Sequence, residues 1–167
     1  MHLRNRVVLV TGGAKRVGWA IAEAVAAQGA VVALTYRQSA AQAHAAVKAL
    51  QRQGAQAAAF RADLSKAAEV RRLMQQVQQR FQRLDVLINS AANFDRIPFA
   101  QLTEADWDHA LDTNLKGPFL CALYGSRLMK SGGKIINIAD WAGVRPYRDY
   151  LPYCVSKAGV IDRKSVV

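Results

Sequence analysis

The chain has 167 residues, of which 51% are hydrophobic and 21% charged, and this composition excludes a disordered or collagen-like protein. Its formal net charge of +11 comes from 23 Lys and Arg residues against 12 Asp and Glu residues. Because the basic residues are dispersed, without zinc-finger spacing or a basic-zipper region, we expect an enzyme with an anionic ligand rather than a nucleic-acid-binding protein.

The sequence also bears on the cellular compartment. No run of about 18 or more apolar residues occurs in it, so we expect no membrane-spanning helix. Two cysteines, Cys121 and Cys154, are too few for a disulfide framework, and the first residues do not read as a secretory signal. We therefore expect a cytoplasmic protein with no membrane contact and no bound metal.

Short apolar runs alternate with helical patterns along the chain. The expected strands are residues 6–10, 31–36, 57–61, 85–89 and 134–139. The expected helices are residues 17–28, 39–53, 65–81, 103–129 (one or two helices) and 150–160. Such alternation predicts an α/β domain with a doubly wound parallel sheet, the Rossmann fold.

A glycine-rich turn, residues 11–18, follows the first strand and precedes a helix. Glycines allow the backbone to approach a pyrophosphate closely, and the helix N-terminus directs amide groups at that anion. A turn with a purely structural role is the alternative. The residues of this turn that we expect to bind a dinucleotide are Gly12, Lys15, Arg16, Val17 and Gly18.

The end of the second strand indicates which dinucleotide binds. An Asp or Glu at this place would bind the ribose hydroxyls of NAD. The chain instead has Arg37 and Ser39, and a guanidinium can bind a 2′-phosphate with two hydrogen bonds. These residues favour NADP(H), although Arg37 could also be an ordinary solvated loop residue.

Tyr153 and Lys157 are four residues apart at the start of the last expected helix, so they lie on one helix face. The phenol of a tyrosine, with a pKa of about 10, is a weak acid at neutral pH. A nearby ammonium group stabilises the phenolate and lowers that pKa. The pair therefore predicts a proton donor for the reduction of a carbonyl or imine.

Together these motifs resemble the short-chain dehydrogenase/reductase family. The matching segments are residues 11–18, 62–64, 89–92, 114–117 and 153–157. The resemblance implies a small-molecule substrate and a full-length protein that forms a homodimer or homotetramer. It also implies roles for single residues. Asp63 would lie at the adenine, Lys157 at the nicotinamide ribose and Asn114 at a proton-relay water, and the other residues implied to bind the cofactor are Leu64, Asn89, Ala91 and Tyr153.

One position departs from the family pattern. A serine usually stands thirteen residues before the tyrosine, and this chain has Asp140 there. An ionised aspartate cannot donate a hydrogen bond and would repel a developing alkoxide, so it suits a substrate with N–H groups or an imine-like transition state. A protonated Asp140 that donates is the alternative.

This aspartate makes the chain resemble the pteridine reductase branch, which reduces a C=N bond of a pterin. The resemblance implies substrate contacts by Arg16, Phe94, Asp140 and Tyr153, with Phe94 stacked on the pterin ring. Ala92 departs from the branch, which often has a serine there. A general carbonyl or alcohol reductase and a catalytically silent nucleotide-binding member stay as alternatives.

The family fold also needs more chain after Lys157, including two further strands and a substrate loop. We therefore expect residues 1–161 to be an incomplete NADP-binding Rossmann domain. Residues 162–167 break the helical pattern, and we expect them to be an artefactual tail. An uncovered sheet edge promotes aggregation, so we expect the chain as given to be insoluble or inactive.

Overall fold

The computed structural model describes residues 2–162, and five parallel strands form the sheet of this part of the chain. The strands are β1 (Val7–Val10), β2 (Val31–Tyr36), β3 (Ala57–Arg61), β4 (Leu84–Asn89) and β5 (Met129–Asn137). The helices are α1 (Arg16–Ala27), α2 (Ala40–Arg52), α3 (Ala67–Phe81), α4 (Glu104–Leu111), α5 (Gly117–Gly125) and α6 (Leu151–Asp162).

The strand order is β3-β2-β1-β4-β5, and each neighbouring pair is parallel. The chain therefore winds outward from β1 in one direction and then returns to place β4 on the other side of β1. Ligands of such sheets bind beyond the carboxyl ends of the strands, at the point where the winding reverses. The gap between the ends of β1 and β4 is that point.

The inner strands β1, β2 and β4 are largely apolar and buried on both faces, which is typical of parallel sheets, whereas the edge strands β3 and β5 are partly exposed. Val8 and Val10 of β1 face α1 and α2, whereas Val7 and Leu9 face α3 and α5. All four side chains are at most 3% exposed. The predicted doubly wound α/β fold is confirmed, and its rigid sheet holds the loops at the carboxyl edge in place.

The segment expected as one or two helices over residues 103–129 is more broken than the pattern predicts. Thr103 and Asp106 form a capping box at the start of α4. A π-helical turn, Asp112–Lys116, then joins α4 to α5, and Pro118 follows at the start of α5. Proline lacks an amide hydrogen and so cannot make the normal helical hydrogen bond, which accounts for the irregular turn.

Two further expectations concern the end of the chain and the membrane. Asp162 is the last residue of α6, and the rest of the expected tail lies outside the described residues. Within residues 2–162, every helix is too short or too polar to cross a bilayer.

Candidate functional site

A cleft of about 640 Å³ opens where the carboxyl ends of β1 and β4 meet. It brings together the predicted site residues with the exception of Asn89 and Asn114. Those that line it are Gly12, Lys15, Arg16, Val17, Gly18, Arg37, Ser39, Asp63, Leu64, Ala91, Phe94, Asp140, Tyr153 and Lys157. The sequence predictions for the cofactor, the proton donor and the substrate platform therefore fall on one continuous surface.

The glycine-rich turn lies at the floor of the cleft. Gly12 has a positive φ of 65°, and a Cβ atom there would lie 3.0 Å from the Cα atom of Ala91. A Cβ atom on Gly18 would lie 2.3 Å from the carbonyl oxygen of Gly12. Since contacts within the protein already require both glycines, they do not by themselves distinguish a binding turn from a structural one.

The cleft above the turn provides the evidence for a dinucleotide. The N-terminus of α1 opens at its floor, and the first turn of that helix has no acidic residue to neutralise its positive dipole end. Lys15 and Arg16 line the same wall and add positive charge. A cleft of this volume and charge fits a pyrophosphate-linked dinucleotide, which is the group that the predicted motifs require.

Thr11, which sequence reasoning did not single out, connects the ends of β1 and β4 at the point where the winding of the sheet reverses. Its Oγ1 atom accepts hydrogen bonds from the amides of Ser90 and Ala91, both at 3.0 Å. Thr35 Oγ1 likewise accepts from the Gly12 amide at 3.1 Å. A polar residue at the end of an apolar strand was the available signal for both threonines, since their hydroxyls satisfy buried loop amides.

Asp63 and Ser39 lie at the far end of the cleft, near Arg37. Burial acts to raise the pKa of Asp63, but hydrogen bonds from Ser65 and the charges of Arg37 and Lys66 outweigh it, so the pKa is lowered. Ser39 stands at the N-cap of α2, yet its side chain makes no capping hydrogen bond. Its hydroxyl is therefore available to a ligand.

Asp140 also lines the cleft and accepts three hydrogen bonds. Its Oδ1 atom accepts from the Ala142 amide at 2.7 Å and from the Tyr147 hydroxyl at 3.3 Å. Its Oδ2 atom accepts from the Tyr153 hydroxyl at 2.7 Å. The Ala142 amide is the largest influence that lowers the pKa of Asp140, so the ionised form is favoured at neutral pH over the alternative of a protonated, donating acid.

The prediction that Lys157 lowers the pKa of Tyr153 is wrong for this arrangement. Burial, followed by the hydrogen bond to Asp140 and the charge of that carboxylate, raises the pKa of Tyr153 above its usual range. Lys157 donates to the carbonyl oxygen of Ile138 at 2.7 Å, and its Nζ atom lies 5.7 Å from the centre of the Tyr153 ring. The carboxylate touches the phenol whereas the ammonium does not, so the carboxylate dominates.

Asn89 and Asn114 are buried behind the cleft wall. The Nδ2 atom of Asn114 donates to the Asn93 carbonyl at 3.1 Å and to Ser156 Oγ at 3.2 Å, and its Oδ1 atom accepts from the Asn93 amide. Asn89 donates to Asn137 Oδ1 at 2.9 Å. Both asparagines hold loops of the cleft together, and their predicted roles at the cofactor and at a relay water stay predictions.

Phe94 has a stacked partner within the protein itself. Its ring lies 4.3 Å from the ring of Tyr150, with 16° between the planes, and 4.6 Å from Tyr153 in an edge-on contact. Phe94 is nevertheless 48% exposed. The platform predicted for a flat heterocycle therefore keeps an open surface, but one face of the ring is already taken by Tyr150.

Two loops flank this aromatic cluster and are joined to each other. Arg96 and Asp149 form an ion pair at 2.8 Å, and the Ile97 amide donates to the Asp149 carbonyl at 2.7 Å. The stacking of Phe94 on Tyr150 links the same two loops. The wall of the cleft beside Phe94 is thus fixed by three separate contacts.

Comparison with known proteins identifies relatives along almost the whole chain. A family model described as short chain dehydrogenase matches residues 6–164. Galactitol 2-dehydrogenase of Agrobacterium fabrum is 37% identical over 164 residues, which is 96% of this chain and 62% of that protein. The 3-oxoacyl-[acyl-carrier-protein] reductase of a Synechocystis species is 37% identical over 95% of this chain and 65% of its own length.

Solved structures agree with the fold. A short chain dehydrogenase from Burkholderia cenocepacia in complex with NADP superposes with a TM-score of 0.92 at 34% identity, covering 97% of this chain and 66% of that one. A blue fluorescent protein from a metagenomic library in complex with NADPH gives 0.91 at 32% identity, covering 97% of this chain and 67% of that one. The chain spans 62% and 65% of the lengths of the two relatives named above.

Proposed function

The chain belongs to the short-chain dehydrogenase family, and from that membership and the geometry of the cleft we propose that its protein is an NADPH-dependent reductase of a pterin-like C=N bond. The observation that carries the proposal is the ionised Asp140, 2.7 Å from the hydroxyl of Tyr153. A neutral serine is the family's usual residue there, and a charge at this place changes which transition states the site can stabilise.

The cofactor part of the proposal rests on the shape and charge of the cleft. NADPH supplies a hydride when it is bound. The N-terminus of α1 and the adjoining Lys15 and Arg16 would hold the pyrophosphate, and Arg37 with Ser39 would bind the 2′-phosphate. The complexes of structural neighbours with NADP and NADPH support this assignment.

The Asp140 carboxylate favours a substrate that becomes partly positive in the transition state over one that becomes negative. A negative charge that develops beside Asp140 is repelled by it, whereas a partly positive nitrogen with an N–H group is attracted and hydrogen-bonded. For unit charges about 4 Å apart near a protein surface, this difference is on the order of several kcal/mol. The Asp140 Oδ2 atom accepts only from Tyr153 among residues 2–162, so it can accept a further hydrogen bond from a substrate.

Tyr153 would hold the proton that the reduction consumes. Its raised pKa keeps the hydroxyl protonated through neutral and mildly alkaline pH. Hydride addition to the carbon of a C=N bond makes the nitrogen a stronger base, and this nitrogen takes the proton from Tyr153. The phenolate that remains is repelled by Asp140, and Lys157, whose Nζ atom lies 5.7 Å from the ring centre, would offset part of that repulsion.

The exposed part of Phe94 supports a flat substrate. Its ring borders the cleft beside Tyr153, and aromatic rings pack well against planar heterocycles. Arg16, which also lines the cleft, would contact both the cofactor phosphate and the heterocycle.

A carbonyl or alcohol substrate is the second candidate function. It is favoured by the names of the similar relatives, a galactitol 2-dehydrogenase and a 3-oxoacyl-[acyl-carrier-protein] reductase. Location in the cytoplasm and assembly into a dimer or tetramer stay predictions for the full-length protein.

The test compares substrate classes on the full-length protein. NADPH is mixed with dihydrobiopterin or dihydrofolate in one series and with a panel of ketones in another, and oxidation of the cofactor is followed by absorbance. We expect turnover with pterins. Turnover with ketones and none with any pterin would contradict the proposal and favour the second candidate, and binding of NADPH without any turnover would indicate a catalytically silent member.

A further inference from the structure

Two guanidinium groups flank the turn that follows β2. Arg37 is the first residue after β2, and Arg61 is the last residue of β3. We propose that Arg61 is a second binding residue for the 2′-phosphate and thereby sets the preference for NADPH over NADH, an inference that rests on the proposed use of NADPH. Arg61 belongs to none of the motifs that carry the family resemblance.

The sheet places Arg61 next to Arg37. In the parallel register of β2 and β3, Arg61 is opposite Tyr36, the residue before Arg37. The Nε atom of Arg61 donates to the carbonyl oxygen of Arg37 at 3.3 Å. This bond uses one donor of the guanidinium and directs the group over the turn, so the four N–H donors of its two terminal nitrogens stay available.

A concave surface of about 290 Å³ adjoins the main cleft at this place. Its wall includes Arg61 and Lys66, and it shares Arg37, Gln38 and Asp63 with the main cleft. A group bound between Arg37 and Ser39 in the main cleft would therefore also face the concavity that Arg61 borders.

Both arginines lack a carboxylate partner. Within residues 2–162, the ion pairs involve neither Arg37 nor Arg61. The two nearby carboxylates are already engaged, since Asp63 accepts from Ser65 and Glu69 accepts from the Asp63 amide at 2.8 Å. Arg37 acts on Asp63 only through its charge, without a direct contact, so the hydrogen-bond donors of both guanidinium groups face the concavity without a carboxylate of the described residues bound to them.

The chemistry of the two arginines fits a terminal phosphate better than a bridging one. A phosphate monoester has three free oxygens and a charge of nearly −2 at neutral pH, so it can accept paired hydrogen bonds from two guanidinium groups. The pyrophosphate has one charge on each phosphate and would lie at the N-terminus of α1. A ribose with a free 2′-hydroxyl gives neither arginine an anion to bind.

The experiment measures binding rather than turnover, with ligands that differ only in the 2′-phosphate. Adenosine 2′,5′-bisphosphate and adenosine 5′-monophosphate are titrated calorimetrically into the full-length protein and into Arg61→Gln, Arg61→Lys and Arg37→Gln. Arg52→Gln is the matched control, because Arg52 is also an exposed arginine but lines neither concavity. Thermal unfolding by circular dichroism confirms that each variant is folded.

We expect Arg61→Gln to weaken binding of the bisphosphate by about 5- to 20-fold and binding of the monophosphate by less than about 2-fold. Arg61→Lys should recover part of the loss, Arg52→Gln should change nothing, and raising the salt concentration should narrow the difference between wild type and Arg61→Gln. If Arg61→Gln binds the bisphosphate as tightly as the wild type while Arg37→Gln binds it more weakly, the proposed role of Arg61 is wrong and that of Arg37 stands. Equal binding of the two ligands by the wild-type protein would instead overturn the proposed preference for NADPH.

Discussion

Two aspartates lie at opposite ends of the sheet and differ in what surrounds them. Asp85, near the start of β4, accepts hydrogen bonds from Arg6, Arg83 and the Val7 amide. Asp140, beyond the carboxyl end of β5, accepts from two tyrosine hydroxyls and an amide. The pKa of each is lowered, so both are ionised at neutral pH.

The difference between the two sites lies in the charge of the partners. The two arginines that hold Asp85 neutralise its charge, and the three groups form a structural link between β1 and β4. The donors that hold Asp140 are neutral, and its charge faces the cleft. Hydrogen bonds from neutral groups, with a smaller influence from the charge of Lys157, therefore keep Asp140 ionised, and a carboxylate without a touching cation can still act on a substrate.

The largest expected effect is on catalysis at the Asp140 end. Tyr153→Phe removes the proton that the proposed reduction consumes while keeping the ring in contact with Phe94. We expect kcat of the full-length protein to fall by about 10²–10⁴-fold, with little change in the unfolding midpoint. Retained activity would show that Tyr153 is not the proton donor.

Asp85→Asn should lower the stability of the fold and leave cofactor binding unchanged, whereas Tyr153→Phe should lower catalysis and leave stability unchanged. The substitution leaves Arg6 and Arg83 without their shared anion at a site where Asp85 is 6% exposed. We expect the free energy of unfolding to fall by about 1–3 kcal/mol, since the two arginines remain partly solvated. Denaturant titration measures this loss, and NADPH affinity measured on the same samples should stay within about 2-fold. A large loss of NADPH affinity without a loss of stability would show that Asp85 acts on cofactor binding, which contradicts the proposed difference between Asp85 and Asp140.

Low pH should reduce the stability that the ionised Asp85 and Asp140 contribute to the fold. Groups whose pKa is lower in the folded state contribute their full stability above the pKa of the unfolded state, about 3.9 for aspartate, and lose it as the pH falls. We therefore expect the unfolding midpoint to decrease below about pH 4. Asp85→Asn should reduce this dependence on pH, because it removes one of the groups with a lowered pKa. An unchanged dependence would show that Asp85 does not contribute to it.

The smallest expected effect is at Tyr147. Tyr147→Phe removes the longer of the two tyrosine hydrogen bonds to Asp140, at 3.3 Å, and should raise the pKa of the carboxylate slightly. We expect kcat to fall by about 2- to 5-fold, with the acid limb of the pH–rate profile displaced toward higher pH. Tyr150→Phe is the control, since it keeps the stacked ring beside Phe94. An effect of equal size in the control would assign the loss to the aromatic cluster instead.

The inner strands of the fold were predictable because β1, β2 and β4 contain apolar runs bounded by polar turns. The π-helical turn was not, since it depends on Pro118 and on Gly117 packing against Leu64, where a Cβ atom would lie 3.2 Å from that side chain. Strand β5 begins at Met129 rather than at residue 134, because Met129 pairs with Leu84 across a shift in register.

Most residues that line the cleft were singled out from the sequence, but Asn89 and Asn114 do not line it, and the interactions within it were not predictable. The helical spacing of Tyr153 and Lys157 predicts that they are neighbours and does not reveal that Asp140 lies closer to the phenol. Tyr147 was missed because a loop, rather than a regular spacing, brings its hydroxyl to Asp140. Asp85 also carried a signal, as a charged residue in an otherwise apolar strand.

The central claim is that the charge of Asp140 determines the class of substrate, and Asp140→Ser tests it most directly. The ratio of kcat/KM for dihydrobiopterin to that for a ketone is measured with NADPH for the wild-type and variant full-length proteins. We predict that the substitution lowers this ratio by about 10²-fold or more, because the serine can donate to a developing alkoxide and no longer repels it. A ratio that stays unchanged, with both proteins folded and binding NADPH equally, would contradict the account.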